Sequence, residues 1–278
     1  MTIKRLSYVA AALLTVAAAT GCGGKQSSGN KREQKVEHMA FACDATFQNI
    51  MDQEVDVFEY SYENSTRQAL VVPYYVSQRA AIDSLLNPDN DIRTIVIARR
   101  LNNAEKARLQ NQKKKVREQR IAVDAIALIV NNENPQDVIS MKELRQILSG
   151  EVKTWKEMWP TKLDSIRVVF DQNGSSLVEF MRDSINGGKP FGANIYAEDS
   201  PREVFEAVTK RPNAIGIVGV SWISTDMDGT TISKEEMRTR SAESDTTNLG
   251  FNPAVKVLAV AGDESLQAYK PYQAYIFD

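Results

Sequence analysis

Histidine is almost absent from this sequence, which has one, His38, in 278 residues. A Ser-His-Asp arrangement would have to recruit it, and no Gly-x-Ser-x-Gly elbow is present. Zinc fares no better, since one histidine and two cysteines leave most of the ligands to carboxylates. The composition therefore implies no cofactor and no metal, and it offers little catalytic machinery. Charge of one sign is missing too. With 34 Lys+Arg against 36 Asp+Glu the formal net charge is −2, which gives no footprint for nucleic acid. The basic stretch "QKKKVREQR" has no interleaved aromatics and reads as a solvated helix end. A fragment "DMDG" at Asp226–Gly229 lacks the third acidic position and distal glutamate of a calcium loop, and reads as a turn. No repeat of fixed period is present.

No apolar run is long enough to cross a bilayer; the longest, Leu6 to Ala19, follows the positive start Lys4-Arg5 as in a secretory leader. It ends in "AATGC", which resembles the lipobox of bacterial lipoproteins, with Ala19 in place of the usual leucine. The expectation is a signal peptide over residues 1–21, a lipid on Cys22 and a flexible tether over 22–36, "GGKQSSGNKREQKV" being polar and rich in Gly and Ser. An ordinary leader cut nearby is the alternative. With Cys22 lipidated only Cys43 is left, so no disulfide can form within the chain.

What is present is apolar patterning. At 42% hydrophobic composition the chain can bury a sizeable core. Short runs of strand type, "HMAFAC", "ALVVPYY", "TIVIA", "RIAVDAIALIV", "IRVVF" and "AIGIVGV", alternate with segments of helical period. Phe47, Ile50, Met51, Val55 and Phe58 mark one such helix. Ser140 with Glu143, closed by Gly150, marks a second. Ser200, Pro201 and Glu203 start a third. Trp155 and Trp159 read as packing residues. This alternation predicts an α/β protein with mostly parallel sheets.

Two turns carry candidate chemistry. In "VVFDQNGSSLVEFM" a strand ends at Phe170 and a helix starts at Ser175 or Ser176. Free backbone N–H groups and serine hydroxyls are thus placed where an anion could sit. Plain capping, with Ser176 and Glu179 as a capping box, is the simpler alternative. "CDATFQ" repeats the arrangement with Thr46, and there Asp44 or Thr46 could be merely a cap. Two such turns, one in each half, are what a cleft between two lobes would need.

The order of motifs resembles the phosphate-binding receptors of ABC importers. "LRQILSGEVKTWKEMWP" is similar to that family's Leu-Ile/Phe-Ser-Gly and Trp segment. "VVFDQNGSS", "SPREVFEAV" and "PNAIGIVGVSWI" follow at matching intervals and resemble its phosphate turn, next helix and return crossover. Upstream, "IARRL" resembles its Ser-Ser/Asp-Arg/Lys-Pro-Leu segment, and "IAVDAIALIVN" its first crossover strand. The resemblance covers roughly residues 37–278. It implies a two-lobed type II periplasmic binding-protein fold, with lobe one at 37–124 plus 219–278 and lobe two at 125–218. By position it implies ligand contacts from Thr46, Phe47, Ala98, Arg99, Gly174, Ser175 and Ser176. The function implied is that of a monomeric envelope receptor, lipid-anchored on the periplasmic side of a bacterial membrane. It would bind inorganic phosphate or a related oxyanion and hand it to an ABC permease without chemistry on the ligand. A sensor or scavenger of the same fold, and an envelope phosphate-ester hydrolase, are the alternatives.

The departures are informative. Asp171 stands where the family commonly places an arginine, Ala98 where it has serine or aspartate, Leu177 where it has threonine, and Ser176 replaces a glycine. A carboxylate in place of a guanidinium works against an anion. Three accounts remain open. Arg99 or Arg100 could pair with Asp171, the ligand could be something other than phosphate, or Asp171 could accept the proton of monohydrogen phosphate. The family also continues past its Tyr-Pro segment, whereas "YKPYQAYIFD" ends at Asp278. A short form and a truncated chain both fit.

Overall fold

The first strand, β1 (Lys35–Asp44), runs into a 3-10 turn, Ala45–Phe47, and then into α1 (Gln48–Tyr62). These and the following elements come from a computed structural model that describes residues 35–64, 67–223, 251–263, 267–271 and 275–276. The leader, Cys22, nearly all of the tether and Asp226–Gly229 lie outside the described residues. Next come β2 (Arg67–Val76), α2 (Gln78–Leu86), β3 (Ile95–Val96) and α3 (Asn103–Asn111). The strands form a parallel sheet in the order β2-β1-β3. Pro73 is tolerated in β2 because that strand lies at the sheet edge, where a missing N–H costs little.

The chain then crosses through β4 (Ala122–Val123) and β5 (Ile126–Asn131) into a second body. One continuous strand was expected over "RIAVDAIALIV", and the structure breaks it at Asp124-Ala125. The Ala125 N–H donates to the Asp124 carboxylate at 2.8 Å, turning the chain. β6 (Val138–Ser140), α4 (Met141–Ser149), β7 (Arg167–Phe170), α5 (Ser176–Phe180), β8 (Ile195–Ala197), α6 (Pro201–Lys210) and β9 (Ala214–Gly219) follow. A π-helical turn, Met181–Ile185, extends α5. After the undescribed segment come β10 (Val255–Val257), β11 (Ala259–Ala261), β12 (Ala268–Tyr269) and β13 (Tyr275–Ile276).

The second sheet has the order β10-β5-β9-β7-β8. Here β7 runs parallel to β8 and β9, and β5 antiparallel to β9 and β10. The late strands, grouped by the resemblance with lobe one, pair in this second body. β10 lies on β5, and β11 lies on β6 and β12. β13 returns to β4.

This sheet is buried on both faces, as its nearly continuous apolar strands require. Leu128 and Val130 of β5 and Ile215 and Ile217 of β9 face Leu144, Ile147, Leu148 and Trp155. Ala127 and Ile129 face the other way, onto Val204 and Val208 of α6. Burying each such aliphatic side chain contributes roughly 1.5–3 kcal/mol. Trp155 is fully buried, stacks on Trp159 at 5.4 Å and donates from its indole N–H to the Asn213 carbonyl at 2.9 Å, so both tryptophans are packing residues as expected.

The caps follow the sequence with one adjustment. Ser140 and Glu143 form the full reciprocal box, and Gly150 closes α4 at φ 74°. On α6, Ser200 accepts from the Glu203 N–H at 3.3 Å, but the Glu203 carboxylate reaches one residue further back, to the Asp199 N–H.

Candidate functional site

Both candidate turns end strands, and the fold brings them together. The turn after β1 supplies Asp44 and Thr46; the turn after β7 supplies Asp171, Ser175 and Ser176. All five residues are buried. The Thr46 hydroxyl donates to Asp171 Oδ2 at 3.0 Å, and the Ser175 hydroxyl donates to Asp171 Oδ1 in a short bond. The backbone N–H of Thr46 donates to Asp44 Oδ1 at 3.1 Å, and that of Ser176 to Asp44 Oδ2 at 2.8 Å. Ser175 is the cap of α5, accepting from the Val178 N–H at 3.3 Å. The Ser176–Glu179 box is therefore replaced by a Ser175 cap, and Glu179 is turned elsewhere.

The electrostatics of this cluster are those of two carboxylates sharing few donors and little water. Burial pushes the Asp171 carboxyl up to about 7, with the nearby Asp44 charge adding to the rise and the Ser175 and Thr46 hydroxyls opposing it. Asp44 is also raised by burial, against the bonds it accepts from Ser176 and Thr46.

The remaining sequence candidates lie around this pair. Gly174 adopts φ 83°, a conformation that favours glycine, and its carbonyl accepts from the Arg79 N–H at 3.4 Å. The Ala98 N–H donates to Gln78 Oε1 at 2.9 Å, and the Gln78 amide donates to Glu179 at 2.7 Å. Arg99 forks onto Glu105 at 2.8 and 2.9 Å and lies 4.0 Å from Glu179. Of the three accounts left open for Asp171, the structure does not show its pairing with Arg99: that guanidinium is engaged by Glu105 and lies near Glu179, and Asp171 is held by hydroxyls. Phe47 packs with Met51 and Val55 against Phe41, Cys43 and Val71. Thr46, Phe47, Ala98, Arg99 and Ser176 line one cavity of about 1360 Å³.

Two contributors, Gln78 and Trp222, are not singled out by the sequence, and Glu179 is read there only as a capping-box partner. Gln78 links Glu179 of α5 to Ala98 of "IARRL", and Trp222 donates from its indole N–H to the Thr46 carbonyl at 2.8 Å. Asp44 was recognised only as a cap. His38 is exposed on β1, toward the far end from Asp44. Among the described residues, no group of three His, Cys, Asp or Glu side chains could hold a metal ion. No helix among them is long and apolar enough to cross a membrane.

Two α/β bodies joined by crossing strands, with polar turns of both meeting at their boundary, define the type II periplasmic binding-protein architecture. The chain belongs to the PBP superfamily, whose domain model matches residues 28–278. Curated relatives named phosphate-binding protein PstS, from strains of Staphylococcus aureus including USA300 and COL, are 28% identical over 135 residues. That alignment spans 47% of this chain and 40% of the relative, so the chain matches less than half of the relatives' length.

Among solved structures, a Clostridium perfringens protein described as a phosphate ABC transporter substrate-binding protein with bound phosphate superposes with a TM-score of 0.60. It is 18% identical, with 87% of this chain and 86% of that one covered. An ABC-type phosphate transport receptor of Vibrio cholerae gives 0.50 at 16% identity, covering 80% and 76%. At these identities the likeness establishes the fold.

Proposed function

We propose that this protein is an envelope receptor that binds inorganic phosphate, or a related oxyanion, and passes it to an ABC permease. Its action is binding and release, with no turnover of the ligand. The observation that carries this reading is the convergence of Thr46 with Ser175 and Ser176, whose hydroxyl and N–H donors come from two turns on different sheets. Such donors are what a dehydrated oxyanion needs. Ala98, Arg99, Phe47 and Gly174 border the same place and complete the proposed contact set. The phosphate-binding relatives named above support the same ligand class. Lipid attachment at Cys22 would keep the receptor at the membrane, and a monomer suffices for the site because every donor comes from one chain.

Calorimetric titration of the purified protein with phosphate and sulfate tests this. Phosphate is expected to bind and to raise the unfolding temperature, since a ligand specific for the folded state must stabilise it. No heat and no stabilisation at millimolar phosphate would remove the reading. A sensor that docks on no permease differs in partner, and pull-down of a permease from membranes separates the two.

A further inference from the structure

Asp44 does more than cap a turn. A cap needs the Thr46 N–H, two residues on, and Asp44 Oδ1 has it. The other oxygen, Oδ2, accepts from the Ser176 N–H, 132 residues away on the second body. That bond has no part in capping.

We propose that Asp44 is a built-in counter-ligand, a carboxylate seated on the anion donors of both lobes, which an external oxyanion must displace. It thereby sets the affinity of the site and latches the lobes together. The proposal rests on the phosphate reading of the same site. Four donors converge there, and the molecule's own carboxylates take all four. Asp44 holds the two backbone N–H groups, and Asp171 holds the hydroxyls of Thr46 and Ser175.

An arriving oxyanion would therefore exchange with a carboxylate. The departing Asp44 side chain can turn toward the cavity that Thr46 and Ser176 line, where water can solvate it. Because Asp44 is tethered, its effective concentration at the donors is high, and a free anion must out-compete an intramolecular one. A charge-assisted bond to such an acceptor is strong enough that removing the competitor should tighten phosphate binding by about tenfold or more.

The test is calorimetry with inorganic phosphate on wild type, Asp44→Asn and Asp44→Ala. Asparagine keeps the shape and one acceptor, so it guards against loss of folding in the alanine variant. Tighter phosphate binding in either folded variant supports the counter-ligand. Unchanged or weaker binding overturns it, since the carboxylate would then be structural or part of the ligand's own shell.

Small-angle scattering in phosphate-free buffer reads the latch separately. An increased radius of gyration in Asp44→Ala supports it, and an unchanged radius overturns it. If no version binds phosphate the ligand assignment fails, and the scattering result still decides whether Asp44 joins the lobes.

Discussion

Asp171 and Asp124 make the stability of this fold depend on pH in an unusual direction. Both carboxyls are raised by burial, Asp171 to about 7 and Asp124 to about 6, the latter against the N–H groups of Ala125, Ser221 and Val220. Between about pH 4 and those values the folded state holds protons that the unfolded chain has released. Stability contributed by protonation is thus full below about pH 4 and falls as pH rises, through about 6 for Asp124 and about 7 for Asp171. The loss from Asp171 is on the order of 2–4 kcal/mol.

Asp171→Asn removes its part of this slope. The drop in urea midpoint between pH 5 and pH 8 should be smaller in the variant, and an identical drop would show that Asp171 does not titrate there. Ser175 offers a simpler prediction. Ser175→Ala loses the cap of α5 and one hydroxyl on Asp171, costing about 1–2 kcal/mol in chemical denaturation; a loss below a few tenths would mean the cap is not used.

Among elements, the contact of α6 with the second sheet depends on Gly216 in β9. A Cβ there would lie 2.7 Å from Val208 Cγ2, 2.9 Å from Ile129 Cγ1 and 3.0 Å from Val204 Cγ1. Gly216→Ala should therefore overpack this face and destabilise by about 1–3 kcal/mol. Equilibrium denaturation that leaves the midpoint unchanged would show that α6 can shift outward freely.

The element pattern was largely legible in the sequence, because period and caps are local. Ser140-x-x-Glu143 and Ser200-Pro201 start helices where expected, and the apolar runs became strands. What was not legible arose from distant partners. The break at Asp124 reflects a carboxylate lodged so close to β9 that a Cβ on Gly219 would lie 2.6 Å from it. The position of β10 on β5 depends on pairing across more than a hundred residues, and no local pattern encodes it. In the site, the donors at Thr46, Ser175 and Ser176 could be read from strand–turn–helix spacing. Their acceptors could not, since Asp44 and Asp171 reach across from one turn to the other.

At the scale of the whole molecule, the two bodies are tied at the site by side chains as well as by the crossing strands. Gln78 and Arg79 contact Glu179, the latter pair at 3.7 Å, and the Asn49 amide donates to the Ser221 carbonyl at 2.7 Å. Trp222 lies at this junction, whereas Trp155 and Trp159 belong to the second body's core. A ligand that rearranges the Thr46 turn should therefore change Trp222 emission. We expect phosphate to shift the tryptophan fluorescence of the wild type and not that of Trp222→Phe. A shift that survives the substitution would place the rearrangement elsewhere.

The place of β10 in the second sheet also bears on how the chain is made. β5 ends at Asn131, yet the strand that pairs along its outer edge begins only at Val255. Until then that edge offers open N–H and C=O groups. Covering that edge must wait for a contact of long sequence separation, which is slow to form. β5, β9, β7 and β8 are all made before β10, so the last step in building this sheet is the covering of an edge and not the formation of its core.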